Sequence, residues 1–269
     1  IMSEEIDPKS KRAVATPGER TTEDEDSPDL PSKEATNYRA KVARSNYLTQ
    51  DRSDIQFSSK EVSKKMAQPT EDDHKKLVRL ARYLKSKPRS VVKYEYQDMY
   101  KTIETWSDSD HAGDKRTRKS TSGGLIKLGK HLIKSWSSTQ PVIALSSGEA
   151  EYYGLVKGAS VGLGLRQLLK ELGVTCGINL KTDASAAKSI ASRIGVGKVR
   201  HIEVNQLWLQ GKVASGEVSI EKVAGDKNVA DALTKAVDRN KLDEHVKKTC
   251  GSFPEGRHKL APGIVEEEA

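Results

Sequence analysis

Leu77, Leu80, Ala81 and Leu84 recur at intervals of three and four residues, the spacing of one helix face. Thr70 stands at the N-cap of that stripe, Asp73 follows three positions later among other first-turn acids, and Pro88 stops it. Upstream, Asp54-Ile55-Gln56-Phe57 leads into Val62 and Met66, and Pro69 closes the stretch. Residues 38–86 therefore read as short amphipathic helices that need something to pack against. From residue 91 the period changes. Val91, Val92, Tyr94 and Tyr96 predict one strand, and residues 102–108 another. Apolar runs at 123–128 and 131–136 flank Gly129-Lys130, a two-residue hairpin signal. Ser146 with Glu149 three residues on predicts a capping box, opening a helix whose stripe is Tyr152, Leu155, Val156, Ala159 and Leu163 and which Gly173 ends. A short strand at 180–183, helices at 184–192 and 202–214, a strand at 217–223 and a last helix at 229–237 complete the pattern. This order predicts an α/β unit, a mixed sheet with helices on its faces.

Composition changes the picture at the two ends. The 269 residues carry a formal charge of +8, but residues 1–34 hold ten acids and five bases, so the remainder carries +13. Pro8, Pro17, Pro28 and Pro31, the acidic run Glu23–Asp26 and few large apolar residues make 1–37 an expected disordered linker. The start Ile1-Met2 fits a fragment of something longer. Residues 238–269 combine a charged helix-like segment with Gly251, Pro254, Pro262 and an acidic end, and are expected to be mostly disordered. A run of about 18 apolar residues, the minimum for a membrane span, is lacking. No basic-then-apolar secretory segment opens the chain. Cys176 and Cys250 lack metal-ligand spacing and fit reduced thiols of an intracellular protein, whether cytoplasmic or nuclear. The basic body makes nucleic acid the first candidate partner.

Acidic residues fall at the ends of the predicted elements. Asp108 ends the first sheet strand, Glu149 and Glu151 lie in the first turn of the long helix, Asp183 ends the fourth strand, and Asp231 sits in the start of the last helix. Strand ends and helix starts meet at one edge of such a sheet, where ligands bind. Carboxylates meeting there repel one another unless cations intervene, and magnesium takes oxygen ligands while keeping several waters. Two such ions would activate a water and stabilise the leaving oxygen of a phosphodiester. Each acid also has a plainer role available, as a turn residue, a helix-dipole partner, an N-cap or a solvated charge. Periodicity alone does not choose between Glu149 and Glu151, or between Asp108 and Asp110.

Several motifs then occur in order. They are Ser107-Asp108-Ser109-Asp110-His111-Ala112-Gly113-Asp114, Arg118-Lys119-Ser120-Thr121-Ser122-Gly123, Ser135-Trp136-Ser137-Ser138-Thr139-Gln140 and Ala144-Leu145-Ser146-Ser147-Gly148-Glu149-Ala150-Glu151-Tyr152. Thr182-Asp183-Ala184-Ser185-Ala186, Arg200-His201-Ile202-Glu203 and Ala230-Asp231-Ala232-Leu233-Thr234-Lys235 follow. Together they resemble the ribonuclease H domain of copia-type retrotransposon Pol polyproteins, the C-terminal part. Tyr38-Arg39, Tyr47-Leu48, Arg52, Asp54-Ile55, Pro69-Thr70 and Arg82-Tyr83-Leu84 resemble the helical connection that follows the polymerase in that family. No aromatic-x-Asp-Asp polymerase turn occurs. The resemblance implies a ribonuclease H-like five-stranded mixed sheet flanked by helices, with a helical N-terminal extension. It also implies endonucleolytic hydrolysis of the RNA strand of RNA–DNA hybrids with two Mg2+ ions, for which Mn2+ can substitute. By the same resemblance Asp108, Glu151, Asp183 and Asp231 hold metal, Glu149 keeps its capping role, and Asp110 stands behind Asp108.

Substrate contacts are expected from Ser109, Asp110, Arg118, Lys119, Ser147, Ser185, Arg200 and Lys235, with Lys115 and Arg116 on the same basic hairpin edge. His201 reads as a packing or backbone-bonding residue, and the loop 224–228 holds no histidine for product release. The upstream match departs at Ala43, Arg44, Ser45 and Asn46, which stand where the family shows Gly and apolar residues, and at Ser53, which stands for a usual Pro; His111 replaces a common Trp. Expected partners are the hybrid and the polymerase part of the same polyprotein, with no membrane. The expected division is a linker (1–37), a connection remnant (38–88), a nuclease domain (89–237) and a tail (238–269). Two rival functions stay open: an idle nucleic-acid-binding remnant of a decayed element, or another nuclease or strand transferase of the same fold.

Overall fold

The computed structural model describes residues 13–19, 26–197 and 199–256. Three helices open it: α1 (Ser32–Leu48), α2 (Gln56–Ser63) and α3 (Glu71–Ser86). The Thr70 hydroxyl accepts the Asp73 N–H while the Asp73 carboxylate accepts the Thr70 N–H, so α3 starts on a complete capping box. Leu77, Leu80 and Ala81 are buried and Leu84 half-buried, as their spacing requires.

After a two-residue strand β1 (Val91–Val92) come β2 (Thr102–Ser109), β3 (Thr121–Leu128) and β4 (His131–Thr139). The long helix α4 (Ser147–Glu171) leads to β5 (Gly177–Thr182), and α5 (Ser185–Ala191) and α6 (Trp208–Ala214) lead to β6 (Val218–Lys222). The five strands lie in the order β4-β3-β2-β5-β6. The first three are antiparallel neighbours, whereas β2–β5 and β5–β6 are parallel. This is the ribonuclease H-like mixed sheet expected above, with the helical extension in front of it. Gly129 adopts φ 59° at the β3–β4 turn, a left-handed conformation that costs glycine little. Ile103, Ile126, Tyr152, Leu155, Ile178 and Leu180 lie at the centre of the core between α4 and the sheet.

α4 seats unusually close to β2. Gly154, Gly158 and Gly162 line its contact face, and a Cβ on them would stand 2.8 Å from Ser107 Oγ, 3.0 Å from Thr105 Cγ2 and 3.1 Å from Thr105 Oγ1. Glycine at this four-residue spacing lets the helix backbone settle on the strand, and Glu151 is carried one turn before it.

The ends differ from expectation. α1 begins at Ser32, not after residue 37, and Val14 and Leu30 pack against the helical core. The Leu30 N–H donates to Pro69 O and the Glu71 N–H to Pro28 O, so this stretch is laid against the start of α3. Residues 1–12 and 20–25, about half of the expected linker, lie outside the described residues, as do 257–269. The tail is also built up: α7 (Arg239–Lys248) and β7 (Gly251–Ser252) follow, and β7 pairs with β1. Leu242, His245 and Val246 form a buried face on α7 that its many charges conceal in sequence. Tyr94 and Tyr96 are exposed rather than in a strand, since only Val91 and Val92 find a partner. The helix expected at 229–237 is a 3₁₀ turn, Val229–Leu233, and that expected at 202–214 splits into a 3₁₀ turn, Val204–Gln206, and α6.

Tyr38, Val42, Ile55, Leu77 and Leu80 share one apolar cluster with Ala232 and with Leu242 of α7, so the extension packs directly on the Val229–Leu233 turn and α7. The polar departures in α1 are satisfied. Ser45 Oγ donates to Val42 O and pairs with Ser59 Oγ, while Asn46 Oδ1 accepts from Ser59 and Ser63. Partnered hydroxyls avoid the desolvation cost of lone ones. Among the described residues no helix is long and apolar enough to cross a membrane.

Candidate metal centre at the sheet edge

Parallel pairing puts the C-terminal ends of β2 and β5 at one edge. Asp108 lies near the end of β2 and Asp183 follows the last residue of β5. Glu151 reaches the same edge from α4, and one ligand oxygen from each of the three acids lies within 4.8 Å of the other two. Two of the carboxylates are anchored by one oxygen. Thr234 Oγ1 donates to Asp108 Oδ2, and the Ser109 N–H donates to Glu151 Oε1 at 3.2 Å. Glu151 Oε2 is buried with no hydrogen-bond partner.

The electrostatics follow from burial of like charge. Burial pushes Glu151 up to about 9, helped by the charges of Asp108 and Asp183 and opposed by the Ser109 bond. Asp108 rises to about 6, again through burial first, with Asp231 and Asp183 adding and the Thr234 bond opposing. Three carboxylates in mutual reach, one with an orphaned inward oxygen, fit a hard divalent cation taking oxygen ligands.

Asp231 stands apart from that trio. It lies in the Val229–Leu233 turn and pairs with Lys235 and, at 3.6 Å, with Lys241 of α7. Its charge still bears on Asp108. The turn is tied to the sheet by Asn228, whose Nδ2 donates to Ser107 O at 3.0 Å while its Oδ1 accepts the Ala230 N–H at 3.1 Å. On the β3 side only glycine fits: a Cβ at Gly123 would come within 2.6 Å of Thr234 Cγ2 and 2.9 Å of the Leu233 carbonyl carbon.

The two glutamates separate cleanly. Glu149 faces away from the trio, fully buried, accepting the Leu145 N–H at 3.0 Å, the Tyr153 hydroxyl at 2.7 Å and a contact with His201 Nε2 at 2.7 Å. Ser146 Oγ accepts the Glu149 N–H, so the expected cap is half formed, with the carboxylate turned to Leu145 instead. His201 is thereby a side-chain partner of Glu149, not a backbone-bonding residue. Asp110 accepts the Thr121 N–H and crowds Gly113, where a Cβ would lie 2.0 Å from Asp110 Oδ2. It pins the β2–β3 loop rather than joining the trio, and burial raises its pKa.

The expected substrate contacts divide as well. The Ser109 hydroxyl turns toward its own loop, its single hydrogen between Thr121 O at 3.0 Å and Asp110 O at 3.2 Å while its oxygen accepts from Gln140 Nε2. Ser147 and Ser185 are exposed at the first residues of α4 and α5, which abut where a Cβ on Gly148 would lie 2.7 Å from Ala186 Cβ. Arg118 is exposed at φ 58°, Lys119 half-buried beside it, and Arg200 exposed next to His201. Lys235 is engaged by Asp231. Thr234 and Gln140 were given no role by sequence. Both lie inside the quoted motifs, yet only packing shows that Thr234 reaches Asp108 and that Gln140 Nε2 touches Ser109, Ser122 and Ala150 O.

No family model matches the chain. It is 30% identical over 217 residues to the Retrovirus-related Pol polyprotein from transposon RE1 of Arabidopsis thaliana, covering 79% of this chain and 15% of that protein. The corresponding polyprotein from transposon TNT 1-94 of Nicotiana tabacum is 28% identical over 199 residues, 71% of this chain and 14% of that protein. Among solved structures, LC11-RNase H1, isolated from compost by a metagenomic approach, aligns with a TM-score of 0.35 and 17% identity, covering 54% of this chain and 99% of that one. The fold class rests on the strand order and connectivity described above. By this sequence identity the chain is a homologue of the retrovirus-related Pol polyproteins of copia-type transposons, spanning about 15% of their length.

Proposed function

We propose that this chain is the ribonuclease H part of a copia-like Pol polyprotein, cutting the RNA strand of RNA–DNA hybrids with two magnesium ions. The observation that carries the reading is the carboxylate trio in which Glu151 of α4 meets Asp108 and Asp183 at the ends of the parallel strands β2 and β5. If a divalent ion were held there, it would supply the charge needed to acidify an attacking water and to offset charge on the leaving 3′ oxygen. Asp108, Glu151 and Asp183 would hold it, and Asp231 would complete the set.

The protein's own groups prepare the edge. Thr234 holds one oxygen of Asp108 and the Ser109 N–H one oxygen of Glu151, so both carboxylates are oriented by outer hydrogen bonds. Ser147 and Ser185, exposed where α4 and α5 begin, can approach the 2′-hydroxyls that distinguish RNA from DNA. Lys115, Arg116, Arg118 and Lys119 supply cations for backbone phosphates on the adjoining loop. In the whole polyprotein, the polymerase part would deliver the hybrid.

The test uses the full chain with Mg2+ and a hybrid labelled on either strand. RNA-strand cleavage is expected, lost in EDTA and reduced by about 100-fold or more in Asp108→Asn and Asp183→Asn. Equal cleavage of duplex DNA, or undiminished activity in those variants, would overturn the reading. Hybrid binding without cleavage would select the idle remnant.

A further inference from the structure

His245 is the most enclosed ionisable side chain of α7, 3% exposed, and belongs to a segment to which sequence assigned no role. Its Nδ1 lies 2.9 Å from Val229 O and its Nε2 3.1 Å from Ser53 Oγ. A carbonyl oxygen only accepts, so Nδ1 carries the proton and donates to Val229. Burial disfavours the imidazolium and lowers the pKa, so Nε2 accepts and the Ser53 hydroxyl donates. One imidazole thus links the helical extension to the residue that opens the Val229–Leu233 turn.

That turn is fastened from two sides. Toward the sheet, Asn228 holds Ser107 O and Thr234 holds Asp108. On its far side, Ala232 packs among Tyr38, Ile55, Leu77 and Leu80 of the extension, and His245 holds Val229.

We propose that His245 is a positioning residue for the candidate nuclease site. With Ser53 it fixes the Val229–Leu233 turn, and through that turn the place of Asp231 and of the Thr234 hydroxyl on Asp108. The helical extension and α7 are then working parts of the nuclease rather than appendages. This rests on the nuclease reading for its catalytic consequence, but not for its structural one.

Asparagine and glutamine separate the two ring nitrogens, since an Asn amide nitrogen sits near Nδ1 and a Gln amide nitrogen nearer Nε2. In the full chain, His245→Gln is expected to speed hydrogen exchange of amides in 228–235 by about 10-fold, the loss of one buried hydrogen bond, and to lower hybrid cleavage by a similar factor. The Mg2+ concentration for half-maximal cleavage should rise with it. His245→Asn should restore most of both, Ser53→Ala should give a smaller loss, and exchange in α3 should stay as in the wild type. In an Asp231→Asn background, His245→Gln should add little. Wild-type exchange over 228–235 in His245→Gln overturns the proposal. So does equal failure of His245→Asn and His245→Gln accompanied by faster exchange throughout α3. If the wild type cuts no hybrid while the exchange pattern is as expected, the positioning role stands and the nuclease reading falls.

Discussion

The helical extension and the sheet edge both bury carboxylates, and they do so in opposite ways. In the helical extension, Asp54 takes two bonds from Arg52, at 2.9 and 2.8 Å, and one from the Tyr83 hydroxyl at 2.8 Å. Burial pulls the Arg52 pKa down, but the Asp54 bonds and charge outweigh it and leave it raised. At the sheet edge, Asp108, Glu151 and Asp183 come within mutual reach, and burial with like charge drives Glu151 up to about 9. Buried charge that is paired holds a structure together. Buried charge of one sign, anchored by single oxygens, is an arrangement that awaits a ligand.

The contrast can be broken from the paired side first. Arg52→Met leaves Asp54 buried beside one hydroxyl, and should destabilise the chain by about 3–5 kcal/mol in urea unfolding. A loss under about 1 kcal/mol would mean that Asp54 finds other solvation, and the two sites would not differ in kind.

Removing charge at the sheet edge should do the reverse. Glu151 has its folded pKa above its ordinary value of 4.5, so between that value and about 9 the folded state holds a proton that the unfolded state has released. Stability from this group therefore falls as pH rises across that window. Glu151→Gln should raise the melting temperature at pH 8 by about 5 °C, on the order of 2 kcal/mol, and change it little at pH 4. Mg2+ should stabilise the wild type by about 2–3 kcal/mol at a hundredfold excess over its dissociation constant, and Glu151→Gln far less. Destabilisation by Glu151→Gln at pH 8 would mark this carboxylate as structural. Smallest of all, Lys93→Ala removes an exposed ion pair with Glu95 and should leave the melting temperature unchanged within error.

Local features were legible because local bonds make them. The Thr70–Asp73 capping box, the Gly129-Lys130 turn and the strand ends carrying Asp108 and Asp183 each depend on residues within a few positions. Glu149 shows the limit. Its sequence position predicts a cap, yet its carboxylate goes to Leu145, Tyr153 and His201, the last 52 residues away. The helix α7 was legible as a charged helix-like segment, but its buried face was not, because only Leu242, His245 and Val246 mark it among many charges.

Sequence alone determined the order of elements and which acids stand at strand ends, because periodicity and capping are short-range physics. Only the tertiary structure decided that Glu151 and not Glu149 joins Asp108 and Asp183 by geometry, through glycines that seat α4 against β2. It alone turned Asp231 toward Lys235 and Lys241, and brought Ser53 and His245 together across 192 residues. Contacts at that separation leave no periodic trace along the chain, and they form only once both cores have closed.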